Sequence, residues 1–180
     1  MNRRARPPVV AAVLGVAVAV AGCAGAEAAA PGCDSGRRLA ILAQSVPTAS
    51  LVPCLDSMPA GWSFAALDVD SRRARFWLHS DRAGLRAAEV ELAPACDLGG
   101  STRAQAEEEG AERYQRLRSL SPRFVGTTYD VFDGGCVVYR YDFAPDTHIE
   151  LYQELHDAVA LFPRDGLEQL STGPDTQPEP

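Results

Sequence analysis

Residues 124–143 read FVGTTYDVFDGGCVVYRYDF, and this stretch decides the fold. Two runs rich in β-branched and aromatic residues, 124–132 and 136–143, flank Asp133-Gly134-Gly135, a strong signal for a tight turn. The stretch therefore predicts a β-hairpin. The residues expected to face the core are Val125, Thr127, Tyr129 and Val131, opposite Val137, Tyr139, Tyr141 and Phe143.

Three further strands are predicted upstream of the hairpin, over residues 62–69, 73–79 and 87–93. In the last two, Ala74, Phe76 and Leu78, and likewise Ala88, Val90 and Leu92, recur at every second position, which is typical of a sheet with one packed face. Their links are short and polar, so an antiparallel meander is the simplest connection.

Helices are predicted over residues 37–46, 103–120 and 147–162, with a short turn or helix over 50–57. Residues 103–120 carry glutamates early and arginines late, which suits the helix dipole, and offer Glu109–Arg113 and Glu112–Arg116 as i,i+4 pairs. Thr147 and Glu150 form a capping box before the last helix. The chain is thus expected to be an α+β fold, with an antiparallel sheet of about five strands packed against two to three helices.

The chain has five cysteines, and four of them lie beyond residue 32: Cys33, Cys54, Cys96 and Cys136. No CxxC or Cys/His spacing suits zinc, so these four are expected to form two disulfides. Four thiols allow three pairings. We favour Cys33–Cys54 and Cys96–Cys136, because each pair flanks a local element.

The N-terminal segment has the features of a secretory signal: Arg3, Arg4 and Arg6 precede an apolar run over residues 9–20 that is too short to be a stable membrane span. The run ends in Val20-Ala21-Gly22-Cys23, which resembles the lipobox of bacterial lipoproteins. The resemblance implies that residues 1–22 are removed and that Cys23 carries the lipid anchor at the extracytoplasmic side of the cell membrane. Residues 23–32 would then be a lipidated terminus and linker, 33–170 one domain, and 171–180 a disordered tail.

Charge limits the partners of the mature domain. The chain has a net charge of −7, and residues 1–22 contain three arginines and no acidic residue, so the mature protein carries −10. Such a domain is repelled by phosphate backbones, which disfavours nucleic acid as a partner.

The best candidate site is the polar face of residues 73–79, formed by Arg73, Arg75, Trp77 and His79. Glu89 and Glu91 could lie opposite on the next strand, and cross-strand ion pairing explains the arginines. An exposed indole is harder to explain, so either the N-terminal helical segment covers this face or Trp77 contacts a partner. We expect the covering, because the apolar residues of 39–55 need a surface to pack against.

Catalytic chemistry has few candidates. Nucleophile elbows, phosphate loops, dinucleotide fingerprints and HExxH helices are absent, and no metal or cofactor is predicted. His156 is expected at the margin of the core. The leading expectation is a non-enzymatic envelope module that binds a protein, peptide or glycan. The alternative is a small envelope hydrolase that uses His79 or His148 with nearby carboxylates.

Four phrases in the chain, VPTASLVPCL, GWSF, RARFWLHSDRAG and GGCVVYRYDF, are similar to those of actinobacterial membrane-anchored proteins of no assigned activity. The resemblance covers most of residues 40–145. It implies the same tethered location and brings no catalytic residues with it.

Overall fold

A computed structural model of the chain describes residues 29–106, 108–147 and 149–172. The predicted signal segment, Cys23 and most of the predicted linker lie outside these residues, as do His148 and residues 173–180. Among the helices of the described residues, none is long and apolar enough to cross a membrane.

The described chain is dominated by antiparallel β-structure. Seven strands form one sheet in the order β2-β3-β4-β8-β7-β6-β5, and β1 pairs with β9 in a separate two-stranded sheet. The strands are β1 (Leu51–Leu55), β2 (Trp62–Val69), β3 (Ala74–Ser80), β4 (Gly84–Ala93), β5 (Thr102–Ala104), β6 (Glu112–Ser119), β7 (Val125–Phe132), β8 (Gly135–Asp142) and β9 (Val159–Pro163). The helices are α1 (Gly36–Ser45), α2 (Glu150–Ala158) and α3 (Leu167–Thr172).

One hydrophobic core lies on a single face of the large sheet. Alternate residues of β3, β4 and β8 supply it, among them Phe76, Val90 and Tyr139, all essentially buried. Leu39 of α1 and Leu155 of α2 belong to the same cluster, together with β1 and β9. The helices and the small sheet therefore cover this face, which we call the core face.

The predicted meander and hairpin are confirmed. Strands β2, β3 and β4 pair in sequence, and β7 pairs with β8 along their full lengths. The predicted core face of β7 is wrong by one residue. Phe132 pairs with Gly135, so the turn contains only Asp133 and Gly134, and Thr128 instead of Thr127 lies opposite Tyr139. A shift of one residue moves every side chain of a strand to the other face.

Residues 103–120 do not form the predicted helix; they form β5, a turn and β6. Gly110, with φ of +82°, lies in that turn, a conformation that glycine adopts easily. The predicted i,i+4 pairs are replaced by cross-strand pairs, because Arg113 binds Asp130 and Glu112 binds Arg103. Pairing with β7 has overridden the helical propensity of this segment.

Two other helix predictions need correction. Residues 50–57 contain β1, and its Pro53 is tolerated because each strand of a two-stranded sheet is an edge strand. The last helix ends at Ala158 and not at Phe162, and β9 follows directly. The capping box is also not formed, since the Thr147 hydroxyl donates to the Ala144 carbonyl. Helix α1 agrees with its prediction within one residue at each end.

Both predicted disulfides are present. Cys33 is bonded to Cys54 of β1, and Cys96 is bonded to Cys136 at the start of β8. The first fixes the segment before α1 to the small sheet. The second ties the loop after β4 to the large sheet.

Candidate functional site

Trp77 lies on the face of the large sheet opposite the core face, which we call the open face. Two guanidinium groups lie close to its ring, that of Arg75 at 5.2 Å and that of Arg86 at 5.0 Å from the ring centroid. Its indole Nε1 donates to Glu89 on β4 at 2.8 Å. These contacts leave the side chain half-buried and fix it in place.

The expectation that the N-terminal helical segment covers Trp77 is wrong. The buried leucines of α1 join the cluster that contains Phe76 and Leu78, so α1 packs on the core face. Alternation along β3 then directs Trp77 away from the helix. Stacked arginines, and not a helix, account for its partial burial.

The structure brings together only part of the predicted face. Arg75 contacts Trp77 and forms an ion pair with Asp68 on β2. Hydrogen bonding to Asp68, opposed by desolvation, raises the pKa of Arg75. His79 accepts a 2.8 Å hydrogen bond at Nδ1 from the backbone N–H of Arg86, so it positions that residue. Arg73 lies in the β2–β3 turn, paired with Asp70, away from Trp77.

A cavity of about 330 Å³ opens beside Trp77 on the open face. This volume is at the lower end of the range for small-molecule sites. Strands β3, β4, β6, β7 and β8 all contribute to its walls. The polar side chains that line it, together with Trp77, are those of Arg86, Glu89, Arg116, Arg118, Thr127, Arg140 and Asp142.

The cavity is positively charged although the protein is acidic. Four guanidinium groups line it against two carboxylates, those of Glu89 and Asp142. Arg140 pairs with Glu89, and Asp142 is paired with Arg123 outside the cavity. Within the described part of the chain, the side chains of Arg86 and Arg118 donate no hydrogen bond to any acceptor.

Arg140 forms ion pairs with both Glu89 and Glu91 on the neighbouring strand β4. Burial opposes its charge, but hydrogen bonds and charges from Glu91 and Glu89 outweigh that effect and raise its pKa. The same Glu89 accepts from Trp77. Glu89 and Glu91 are thus paired with groups of the protein, so neither of them neutralises the guanidinium groups of Arg86 and Arg118.

One end of the open face is covered by the loop after β4. Cys96 anchors this loop to β8, and the Gly99 carbonyl accepts a 2.7 Å hydrogen bond from Arg116. Arg116 also lies over the Tyr129 ring and binds its hydroxyl. The loop therefore fixes one arginine of the cavity wall.

Sequence reasoning missed Arg86, Arg116, Arg118 and Arg140 as site residues. The two from β6 were lost when that segment was assigned to a helix. The sequence does indicate the direction of the Arg140 side chain. Arg140 lies between Tyr139 and Tyr141, which are buried, so it must face the other side of β8. Arg86 has a positive φ of 48°, which alternation does not reveal.

The histidines offer no acid–base pair with a carboxylate among the described residues. The Nδ1 atom of His79 is occupied by a backbone N–H. His156 is 8% exposed, close to its expected place at the margin of the core, and neither of its nitrogens has a hydrogen-bond partner. Burial, followed by the charge of Arg113, lowers the pKa of His156 to about 3.

We predict that His156 makes the fold sensitive to mild acid. The unfolded imidazole binds a proton near pH 6.5, whereas the folded one stays neutral down to about pH 3. Its contribution is therefore complete above pH 6.5 and is lost as the pH falls. Between pH 7 and pH 5 this loss amounts to about 2 kcal/mol. The charged or titratable groups that face the ring are Arg113, Tyr139 and Tyr152.

Denaturant unfolding of the wild type and of His156→Phe at both pH values tests this prediction. The variant keeps a ring of similar size between Tyr139 and Tyr152 and removes the titrating group. Its stability should change less than that of the wild type over the same interval. Equal losses in the two proteins would contradict the assignment.

Within residues 29–106, 108–147 and 149–172, no group of three or more His, Cys, Asp or Glu side chains is arranged to hold a metal ion.

No protein-family model, no curated protein and no solved structure matches the chain.

Proposed function

We propose that the protein is a membrane-tethered extracytoplasmic binding module, and that the open face receives an anionic ligand. The observation that carries this proposal is the charge of the cavity beside Trp77, where Arg86 and Arg118 have no acceptor among the described residues. Guanidinium groups suit carboxylate and phosphate oxygens, to which they can donate two parallel hydrogen bonds.

Trp77 acts in this proposal as a positioning residue. Two guanidinium groups lie within 5.2 Å of its ring centroid, so we assign the ring the role of orienting these groups. It orients Arg86 toward the cavity, with help from His79. A preorganised arginine loses little conformational entropy on binding, which strengthens the site.

A titration with anions tests the site. Inorganic phosphate, acetate and glucuronate should each quench or shift tryptophan fluorescence in a saturable way, with acetamide, the uncharged analogue of acetate, as the comparison. Arg86→Ala and Arg118→Ala should each weaken binding by about tenfold. Arg73→Ala, in the turn before β3 and outside the cavity, is the control and should bind as the wild type does.

Trp77→Ala should separate positioning from folding. We expect a stability loss of only about 1–2 kcal/mol, because the change removes two cation–π contacts and one hydrogen bond at a half-buried position. Anion binding, measured by isothermal titration calorimetry because this variant lacks the Trp77 indole, should fall as far as it does in Arg86→Ala. A loss of about 3–5 kcal/mol, as for a fully buried aromatic residue, would show that the side chain serves the fold instead.

The tether is proposed from the lipobox-like segment. Replacing Cys23 by Ala should abolish incorporation of a clickable fatty acid and shift the protein from the membrane to the soluble fraction, because no thiol remains at the processing site. Cys33→Ala/Cys54→Ala is the matched control and should retain the label. Undiminished label on the Cys23→Ala variant would end the lipoprotein proposal.

A further inference from the structure

A second cavity lies on the other side of the large sheet from the arginine site, between α2 and the strands β5 and β6. Its volume is about 460 Å³, within the range of small-molecule sites. Its walls are mostly polar. The side chains that supply hydrogen-bonding groups, besides Arg113, are those of Gln105, Gln115, Tyr152, Gln153, His156 and Asp157.

The inner wall of this cavity is a rigid polar network. Arg113 binds Asp130 through two hydrogen bonds, from Nε at 2.7 Å and from an Nη atom at 2.9 Å, and both side chains are buried. The Gln115 amide donates to the Tyr152 hydroxyl at 2.6 Å, and that hydroxyl lies 3.2 Å from the Thr128 hydroxyl. These bonds fix the groups before any ligand arrives.

Among the described wall residues, His156 has buried polar atoms that this network leaves without a partner. Its ring packs against Tyr139 and Tyr152 at centroid distances of 4.5 Å and 4.4 Å, yet both ring nitrogens lack a partner. Buried polar atoms nearly always have one, because an unpaired one costs free energy. The depressed pKa keeps the ring neutral, so it offers one donor and one acceptor.

The charges around the cavity point to an uncharged ligand. Arg113 in the wall is paired with the buried Asp130 behind it, so the inner wall carries no net charge that would attract an anion or a cation. Asp157 at the exposed rim disfavours an anion. The glutamine amides, the tyrosine hydroxyl and the neutral imidazole each both donate and accept. A hydroxyl group has the same dual character.

We propose that this cavity binds an uncharged, hydroxyl-rich ring such as a single pyranose unit, with His156 as a direct hydrogen-bonding residue. The site is independent of the anion site, since the two cavities lie on opposite faces of the sheet and share no wall residue. Failure of one proposal therefore leaves the other standing.

The test uses the full-length protein and two probes, methyl α-glucopyranoside and methyl N-acetylglucosaminide. Affinity is measured by isothermal titration calorimetry in every variant, and NMR follows the side-chain nitrogen resonances of His156 in the wild type. We expect saturable shifts with a dissociation constant of about 1 mM or lower. His156→Phe, which keeps the ring and removes both nitrogens, should weaken binding at least about tenfold. Sodium glucuronate and methylammonium should bind this cavity more weakly than the neutral probes.

Two further variants keep the test decisive. Gln153→Ala at the exposed rim should weaken binding a few-fold without affecting the fold. This variant tests the site even if His156→Phe folds poorly. Trp77→Ala, on the opposite face, should bind both glycosides as the wild type does. The proposal is overturned if neither probe saturates, if the His156 resonances do not move, or if His156→Phe and Gln153→Ala both bind with unchanged affinity.

Discussion

Replacing Arg113 by methionine should lower the free energy of unfolding by about 3–5 kcal/mol, because it leaves a buried carboxylate without its counter-ion. Asp130 is 1% exposed, and its ion pair with Arg113 joins β6 to β7. A charge in that position has no access to water to replace the lost guanidinium. Chemical denaturation of the purified variant measures the loss directly.

The neighbouring pair of strands, β5 and β6, supplies a matched control. Arg103 and Glu112 also form a cross-strand ion pair, but their side chains are 70% and 53% exposed. Arg103→Met should therefore cost no more than about 1 kcal/mol, the range of surface pairs. The double variant Arg113→Met/Asp130→Leu should recover much of the loss, because an apolar pair can replace a buried ion pair. Equal effects for Arg113→Met and Arg103→Met would contradict the role given to burial.

Removing the Cys96–Cys136 disulfide should lower the free energy of unfolding by about 4 kcal/mol, from the loop that it closes in the unfolded chain. The two cysteines are separated by 40 positions. The variant Cys96→Ala/Cys136→Ala should also release the loop that holds Arg116 through the Gly99 carbonyl. Anion binding at the open face should weaken along with stability.

Removing the other disulfide separates these two effects. Cys33 and Cys54 are separated by 21 positions, so their loss should cost slightly less, about 3 kcal/mol. They touch no wall of the arginine cavity. Cys33→Ala/Cys54→Ala should therefore lose stability and keep anion binding under conditions where it is folded. If both double variants bind anions equally well, the loop does not support the site.

The meander, the hairpin and both disulfides could be predicted because their signals are local. Alternation in β3 and β4 leaves one packed face, and Asp133-Gly134 defines a turn without reference to the rest of the chain. The disulfides followed from proximity in sequence. Each of these inferences needed only neighbouring residues.

The errors arose where pairing over a long distance outweighed local preference. Residues 103–120 have the charge pattern of a helix, but Arg113 finds a stronger partner in Asp130 than any helical neighbour could provide. The helix ending at Ala158 gives way to β9 because β1 offers it a partner. Arg113 and Asp130, like β1 and β9, are too far apart in the sequence for a local pattern to reveal that they pair.

Only part of the candidate site could be predicted, because its other residues also come from segments that are distant in the sequence. Trp77 and Arg75 share one strand and were identified together, whereas Arg86, Arg118 and Arg140 reach the cavity from strands whose order was not known. The error in the β7 register came from the turn, where Gly135 belongs to the strand and not to the loop. Counting one residue differently reverses which side chains face the core.

The order in which the chain is synthesised gives the small sheet a role in the timing of folding. Strand β8, which closes the seven-stranded sheet, is complete at Asp142, but α2 and β9 come later. Until they emerge, β1 has no partner and Phe76, Val90 and Tyr139 lack part of their cover. A nascent chain halted after β8 would present an apolar sheet surface prone to aggregation. The residues of α2 and β9 therefore cover an apolar surface that would otherwise favour aggregation of the nascent chain.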